Sequence, residues 1–402
     1  MAETQQAARA EDVARAAYGK LLAILAKRGG GDIMAAEDAL ADAFEKALTL
    51  WPRDGVPQNP TAWLLTVAKN RQTDAARRGA RMVAADEVPE MEAPDTTQED
   101  IPDDRLRLMF VCAHPAIDAG VHTPLMLQTV LGLEADAIAR AFLVSPSAMA
   151  QRLVRAKTKI KAAGIPFVLP DETDLPARSG AVREAIYGAF SVDWLEDAAD
   201  LTREALFLAA TLVDLNPGDP EAKGLAALIA FSASRAEARV VDGALVPVHE
   251  QDTGRWNQTL VDRAARWLTE AAEARQLGRF QLEAAIQAVH AARSVTGRTD
   301  WRALSQLYVG LTALAPSIGA AVAQAAVVAE DAGPQQGLAM LARIAPDDIA
   351  TFQPAWAVRA HCLAGMGDTQ GAFAAYDKAI SLATYPPARV FLERKRAALP
   401  LS

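Results

Sequence analysis

The chain has 402 residues, 51% hydrophobic and 6% aromatic, with 41 Lys and Arg against 50 Asp and Glu for a formal net charge of −9. That length suits two or three domains of roughly 100–200 residues each. The only two cysteines, Cys112 and Cys362, lie far apart and exclude a disulfide framework or a CxxC-type metal site. No apolar run approaches the roughly 18 residues of a membrane span, and MAETQQAARAED lacks the apolar core of a signal peptide, so a cytoplasmic protein without membrane contact is expected.

Charge is segregated along the chain. Lys69 to Arg81 holds five basic residues and one acid, Asp74; Arg140 to Lys161 holds six basic residues and no acid. Between them, Asp86 to Asp104 carries nine acids and no base, broken by Pro89, Pro94 and Pro102, which predicts a flexible acidic linker between two small domains.

The first 80 residues follow a helical period. After Gly29-Gly30-Gly31, with Asp32 as the cap, Ala36, Ala39, Leu40, Ala43, Phe44, Ala47 and Leu48 share one helix face, and Asp38, Asp42 and Glu45 share another. On the helix alone that acidic face reads either as a solvated surface or as a dock for a basic partner. The next helix is expected to start at Asn59-Pro60 and to run to about Arg78. At about 100° per residue, Trp63, Val67, Asn70, Asp74, Arg77 and Arg81 fall on one stripe, with Arg71 and Arg78 beside it. A ring and amide among cations suit single-stranded DNA, although Trp63 packed against its neighbours is the simpler reading.

Farther on, Thr123-Pro124 is expected to open a helix that Gly132 closes, and a short helix comes next with Ala137, Ile138, Ala141 and Phe142 turned inward. Ser145 and Pro146 then start a helix with a buried stripe at Met149, Leu153, Ala156 and Ile160, which makes a helix-turn-helix pattern. Opposite that stripe stand Ser147, Gln151, Arg155 and Thr158, flanked by Arg152 and Lys159 on one side and Lys157 and Lys161 on the other. Such a helix suits a major groove, amide and guanidinium on base edges and the other cations on phosphates. In RLRLMFVCAHPAI, Cys112 and His114 read as buried structural residues, because no second histidine or cysteine stands near.

These three ordered stretches resemble a known family. AAEDALADAFEKAL resembles the sigma-factor region 2 segment that grips the polymerase clamp, and PTAWLLTVAKNRQTDAARR resembles its melting and minus-ten helix. GLEADAIARAFLVSPSAMAQRLVRAKTKIK resembles the region 4 unit that reads the minus-thirty-five element. The two-domain form is similar to the extracytoplasmic-function sigma factors of the sigma-70 superfamily. The resemblance implies promoter DNA and core RNA polymerase, through its beta-prime clamp and beta flap, as partners. It implies core contact by Asp38, Asp42 and Glu45, and minus-ten contact by Trp63, Asn70, Arg71, Arg77 and Arg78, with Asp74 orienting a neighbouring arginine. It implies minus-thirty-five contact by Ser147, Gln151, Arg152, Arg155, Lys157 and Lys159.

Beyond a junction at 165–179 the chain is alanine-rich and helical in period. Residues 354–387 match the tetratricopeptide pattern at Trp356, Ala360, Leu363, Gly367, Ala372, Tyr376, Ala379 and Pro386, and a shift of 34 residues sets Gly333 under Gly367, Gly337 under Gly371, and Val322, Ala326 and Ala345 under Trp356, Ala360 and Ala379. His249, Glu250, Gln251, Asp252 and Arg255 form one concentrated polar cluster, read as a hydrogen-bond network before a binding site. The expected fold is all-α. Region 2 is placed at 8–82, an acidic linker at 83–101, a region 4 helix-turn-helix at 102–164, and a tetratricopeptide-like solenoid at 180–400 that a protein partner can occupy. No paired carboxylates, nucleophile constellation or metal spacing is visible, and the triple glycine lacks a GK[ST] ending, so no catalytic residue, metal or cofactor is expected. Rival readings are a DNA-binding regulator that acts without polymerase and a solenoid scaffold whose N-terminal half is a relic.

Overall fold

Helix starts in this chain are set largely by short polar side chains that accept the free N–H groups of the first turn. In a computed structural model, which describes residues 17–83, 103–196 and 199–400, Asp32, Asn59, Asp118, Ser145, Asp219 and Asp368 all do so. The chain divides after Ser191 into two compact units.

The first unit contains α1 (residues 17–28), α2 (Ile33–Asp54), α3 (Pro60–Val83), α4 (Asp104–Cys112), α5 (Ala119–Thr129), α6 (Ala135–Ala141), α7 (Pro146–Ala162) and most of α8 (Leu175–Glu196). Leu21, Leu22, Leu25, Ile33, Leu40, Trp51 and Leu64 form one part of its core, and α4 with Leu125 and Met126 of α5 another. Burial of α4 extends to Arg105 and Arg107, which is tolerable because each has a carboxylate: Arg105 Nε lies 2.8 Å from Asp103, and Arg107 lies 3.4 Å from Asp104. Asp104 also holds Lys27 of α1 at 3.0 Å. At Gly19 an added Cβ would lie 1.7 Å from the Val130 carbonyl oxygen, so α1 meets the end of α5 backbone to backbone.

Several expectations need correction here. Helix α3 continues to Val83, and α5 starts four residues before Thr123, capped by Asp118, with Pro124 at its middle. Ile138 and Ala139 are the buried residues of α6, whereas Ala141 and Phe142 lie at the surface. Val182, Ala185, Ile186 and Ala189 of α8 are buried, and Gly188 lies beside Leu127, so the first unit extends past the expected junction. The expected linker, 83–101, lies outside the described residues except for Val83.

The second unit comprises α9 (Ala199–Leu215), α10 (Pro220–Ala233), α11 (Ala236–Arg239), a hairpin of β1 (Val240–Val241) and β2 (Ala244–Leu245), α12 (Gln258–Glu273), α13 (Arg279–Ala291), α14 (Arg293–Thr296), α15 (Trp301–Leu314), α16 (Ile318–Ala332), α17 (Pro334–Leu341), α18 (Pro346–Ile349), α19 (Gln353–Gly365), α20 (Thr369–Leu382) and α21 (Pro386–Ala397). Helix α10 is apolar almost all round and packs against α9, α12 and α13. Its Gly224 lets α13 approach: a Cβ there would lie 2.7 Å from the Gln281 nitrogen. Glu221 completes the crossing by accepting the Phe280 and Gln281 N–H groups at 3.0 and 3.2 Å, a carboxylate at a helix N-terminus. The chain is mostly helical, and one hairpin of two-residue strands interrupts the helices. Val240 pairs with Leu245 and Val241 with Ala244 around Asp242-Gly243, both at positive φ, the turn chemistry that an Asp-Gly pair favours. Helix α21 packs on β2, where Arg394 donates to the Asp242 carbonyl at 2.9 Å and Lys395 pairs with Glu250 at 3.1 Å.

Candidate nucleic-acid interface

Helix α2 buries Ile33, Ala36, Ala39, Leu40, Ala43, Ala47 and Trp51 against its neighbours. Leu48, expected on that face, is 48% exposed, because it stands about 100° round the helix from the buried Ala47. Asp38 and Glu45 face solvent. Asp42 is half-buried and forms an ion pair with Arg71 of α3, which joins the acidic helix to the basic one.

On α3, Leu64 and Ala68 are buried, and Gln72 donates to the Leu25 carbonyl at 3.1 Å, which fixes the rotation of the helix. That rotation leaves Asn70, Asp74 and Arg77 exposed on one side. Trp63 is half-buried, edge-on to the fully buried Trp51 with ring centres 5.5 Å apart, so part of its ring remains accessible. The Arg78 side chain lies outside the described residues.

Met149, Leu153, Ala156 and Ile160 of α7 are buried, which turns Ser147, Gln151, Arg152, Arg155 and Lys159 to solvent. Lys157 departs from the expected surface role. It is 7% exposed, and its Nζ lies 2.7 Å from both carboxylate oxygens of Glu37 on α2, so in this arrangement it faces protein. Lys161 pairs with Asp32 at 2.7 Å, which raises its pKa. At the α6–α7 turn Leu143 adopts φ +53° and is 92% exposed, a position that glycine would occupy without strain.

Cys112 is buried as expected, whereas His114 is only half-buried. The Cys112 thiol is fully buried beside the Thr129 hydroxyl at 3.6 Å, and burial pushes its pKa up to about 12. His114 Nδ1 accepts the Ala116 N–H at 3.1 Å. Among the described residues no cluster of His, Cys, Asp and Glu has metal-holding geometry, and no helix is long and apolar enough to cross a membrane.

The polar cluster of the second unit is a network that orders the 240–257 excursion. Arg293 donates to the Val248 and Gln251 carbonyls and lies over the buried Trp256 ring, 5.2 Å from its centre. Asp252 caps the turn at Gly254, and His249 stands edge-on to Trp301. Sequence reasoning overlooked the hairpin, which Asp242-Gly243 signals, and overlooked Asp32 and Glu37 as partners of α7, for which no local signal exists.

The Sigma-70 region 2 family model matches residues 14–82, and the model described as a family of unknown function, DUF6596, matches residues 178–272. An uncharacterized protein of Rhizobium meliloti (strain 1021) is 36% identical over 365 residues, covering 87% of this chain and 86% of the relative. No solved structure matches the chain. With that identity sustained over most of both chains, the protein belongs to one family with its rhizobial relative, and within it a Sigma-70 region 2 domain is followed by a DUF6596 region.

Proposed function

We propose that this chain is a sigma factor of the extracytoplasmic-function type, a dissociable subunit that brings core RNA polymerase to promoters and helps open them. The observation that carries the reading is the Sigma-70 region 2 match over 14–82, which takes in the exposed acids of α2 and the exposed polar stripe of α3. Asp38, Asp42 and Glu45 meet the beta-prime clamp. Trp63, Asn70, Arg71, Asp74, Arg77 and Arg78 serve the minus-ten element, with the Asp42–Arg71 pair coupling the two surfaces.

Helices α6 and α7 act as the region 4 helix-turn-helix, the part that meets the beta flap. Gln151 and Arg155 reach base edges of the minus-thirty-five element, and Ser147, Arg152 and Lys159 reach its backbone. The capped start of α7 and the exposure of all five side chains support this assignment. Lys157 joins them once released from Glu37. The DUF6596 region and the helices C-terminal to it form a tetratricopeptide-like extension that regulates the sigma domains or recruits a protein partner. Left-handed glycines 34 residues apart, Gly333 at φ +110° and Gly367 at φ +78°, support that repeat. The protein works in the cytoplasm, and the chemistry of transcription belongs to the polymerase, not to this chain.

Reconstitution with core polymerase and mapping of transcript starts tests the proposal. Initiation from defined promoters is expected; no initiation, together with no co-purification with core, refutes it. Deletion after Glu196, which spares α8, tests the extension: unchanged initiation in vitro and an unchanged response in cells removes its regulatory role.

A further inference from the structure

We propose that the second unit carries a binding site for a small doubly charged oxyanion, inorganic phosphate or a phosphomonoester, with Arg235 as its floor and His290 and Arg293 as its walls. The site is independent of the sigma-factor reading, since it lies wholly in the unit that the Sigma-70 region 2 match does not reach.

Arg235 stands apart from the other buried cations. Among the described residues these are Arg105, Arg107 and Lys157, and each has a carboxylate, at 2.8, 3.4 and 2.7 Å. Arg235 is 4% exposed, and its guanidinium bonds only the neutral Gln287 side chain, 2.7 Å from Oε1. A buried charge without a counter-charge is costly, so it persists only where another gain offsets it. The C-terminal end of α10, just before Arg235, favours a cation but carries only about half a charge.

Further basic groups crowd the same place. Gln287, His290 and Arg293 follow at spacings of three along α13 and into α14, which sets them on one face. Arg235, held on Gln287, therefore lies beside His290, whose pKa is lowered by burial first and then by Arg235, ahead of His249 and Arg293. Burial, with Arg239 close by, lowers the Arg235 pKa to about 10, so the guanidinium stays charged at neutral pH. Arg239 itself lies over the Tyr385 ring, 5.2 Å from its centre. His290 Nδ1 and Arg293 Nε are buried and bear no hydrogen bond. The acids of this region are turned to other partners: Glu250 pairs with Lys395, Glu330 with His361, and Asp252 caps Gly254, while Glu237 is exposed.

These donors select the ligand by its chemistry. A guanidinium offers a planar fork of N–H groups that matches two phosphate oxygens, and a neutral imidazole adds one more N–H. A dianion offsets Arg235 and Arg293 together, whereas a carboxylate offsets one of them. Arg239, His290, Arg293 and Trp301 are half-buried, so the ligand reaches Arg235 from the surface. Bound there, it joins the end of α10 to α13, segments on either side of residue 272, where the DUF6596 match ends.

Calorimetric titration of the full-length chain with sodium phosphate and with adenosine monophosphate tests the site, with sodium chloride and sodium acetate at matched ionic strength as controls. A single saturable site is expected, and its occupation should raise the thermal midpoint of the second unit. Tighter binding of adenosine monophosphate assigns a phosphomonoester; equal or tighter binding of phosphate assigns the free ion. Arg235→Met should bind about tenfold more weakly or worse, yet be at least as stable as wild type without ligand, because it removes a buried charge that lacks a counter-charge. A merely structural arginine would lose stability instead. Arg255→Ala, exposed in the 240–257 excursion, should bind as wild type does. If Arg235→Met fails to fold, His290→Gln decides in its place, with binding weaker by about tenfold expected. No saturable binding of either phosphate compound, acetate binding as tight as phosphate binding, or unchanged binding in the folded variant overturns the proposal.

Discussion

The same substitution at two helical glycines should change stability in opposite directions. In an exposed helix interior, alanine is favoured over glycine by about 1 kcal/mol, because it restricts the unfolded backbone. At Gly188 of α8 an added Cβ meets Leu127 and Thr123 at 3.8 to 3.9 Å, ordinary contact, so Gly188→Ala should stabilise the first unit by about 0.5–1 kcal/mol. At Gly224 of α10 the added carbon would lie 2.7 Å from the Gln281 nitrogen and 3.0 Å from the Phe280 carbonyl carbon, both backbone atoms of α13. Neither can rotate away. Helix α13 must therefore move, at an overpacking cost of about 1–3 kcal/mol, and the Glu221 bonds to its first turn stretch with it. After the propensity gain is subtracted, Gly224→Ala should destabilise the second unit by about 1–2 kcal/mol. Urea unfolding monitored by hydrogen exchange, with peptides from α8 and α10 read separately, measures each unit by itself. A Gly224→Ala protein as stable as wild type, or a Gly188→Ala protein less stable by more than about 1 kcal/mol, would refute the packing described for these helices.

Four further outcomes are expected from the same geometry. Arg155→Ala should weaken binding to a specific site by about 1–3 kcal/mol and relax the preference at one base pair, whereas Lys159→Ala should weaken all sequences alike and lower the salt slope by about one; footprinting across a salt series separates the two. Glu221→Ala should cost about 1.5–3 kcal/mol through the lost charged bonds to α13, and unfolding of the second unit measures it. Burial, with Arg235, His249 and Arg293 nearby, lowers the His290 pKa from 6.5 to about 3. The neutral ring is therefore the folded form, and its stability contribution is present above pH 6.5 and is lost as pH falls toward 3; thermal melts of the second unit should show this loss, with a shallower slope in His290→Gln. Cys112, its thiol pushed up to about 12, should resist alkylation at pH 8 until the first unit unfolds, and labelling in the native buffer would contradict its burial.

Local chemistry made much of this protein legible in its sequence. Asp32, Asn59 and Ser145 mark helix starts because a cap acts within three residues of itself, and the buried stripe Met149–Leu153–Ala156–Ile160 comes from helical period alone. The exposed rows at Asn70, Asp74 and Arg77 and at Gln151 and Arg155 are then the faces opposite buried ones. Tertiary structure decided what local rules leave open. Lys157 sits where a helical wheel allows either a phosphate or a protein partner, and only the approach of α2, 120 residues away, gives it Glu37. Trp63 keeps part of its ring accessible because Trp51 covers one edge of it, and α8 belongs to the first unit because Gly188 lets it lie beside Leu127. Such pairings gain their free energy from burial between distant segments, so nothing in the residues on either side announces them.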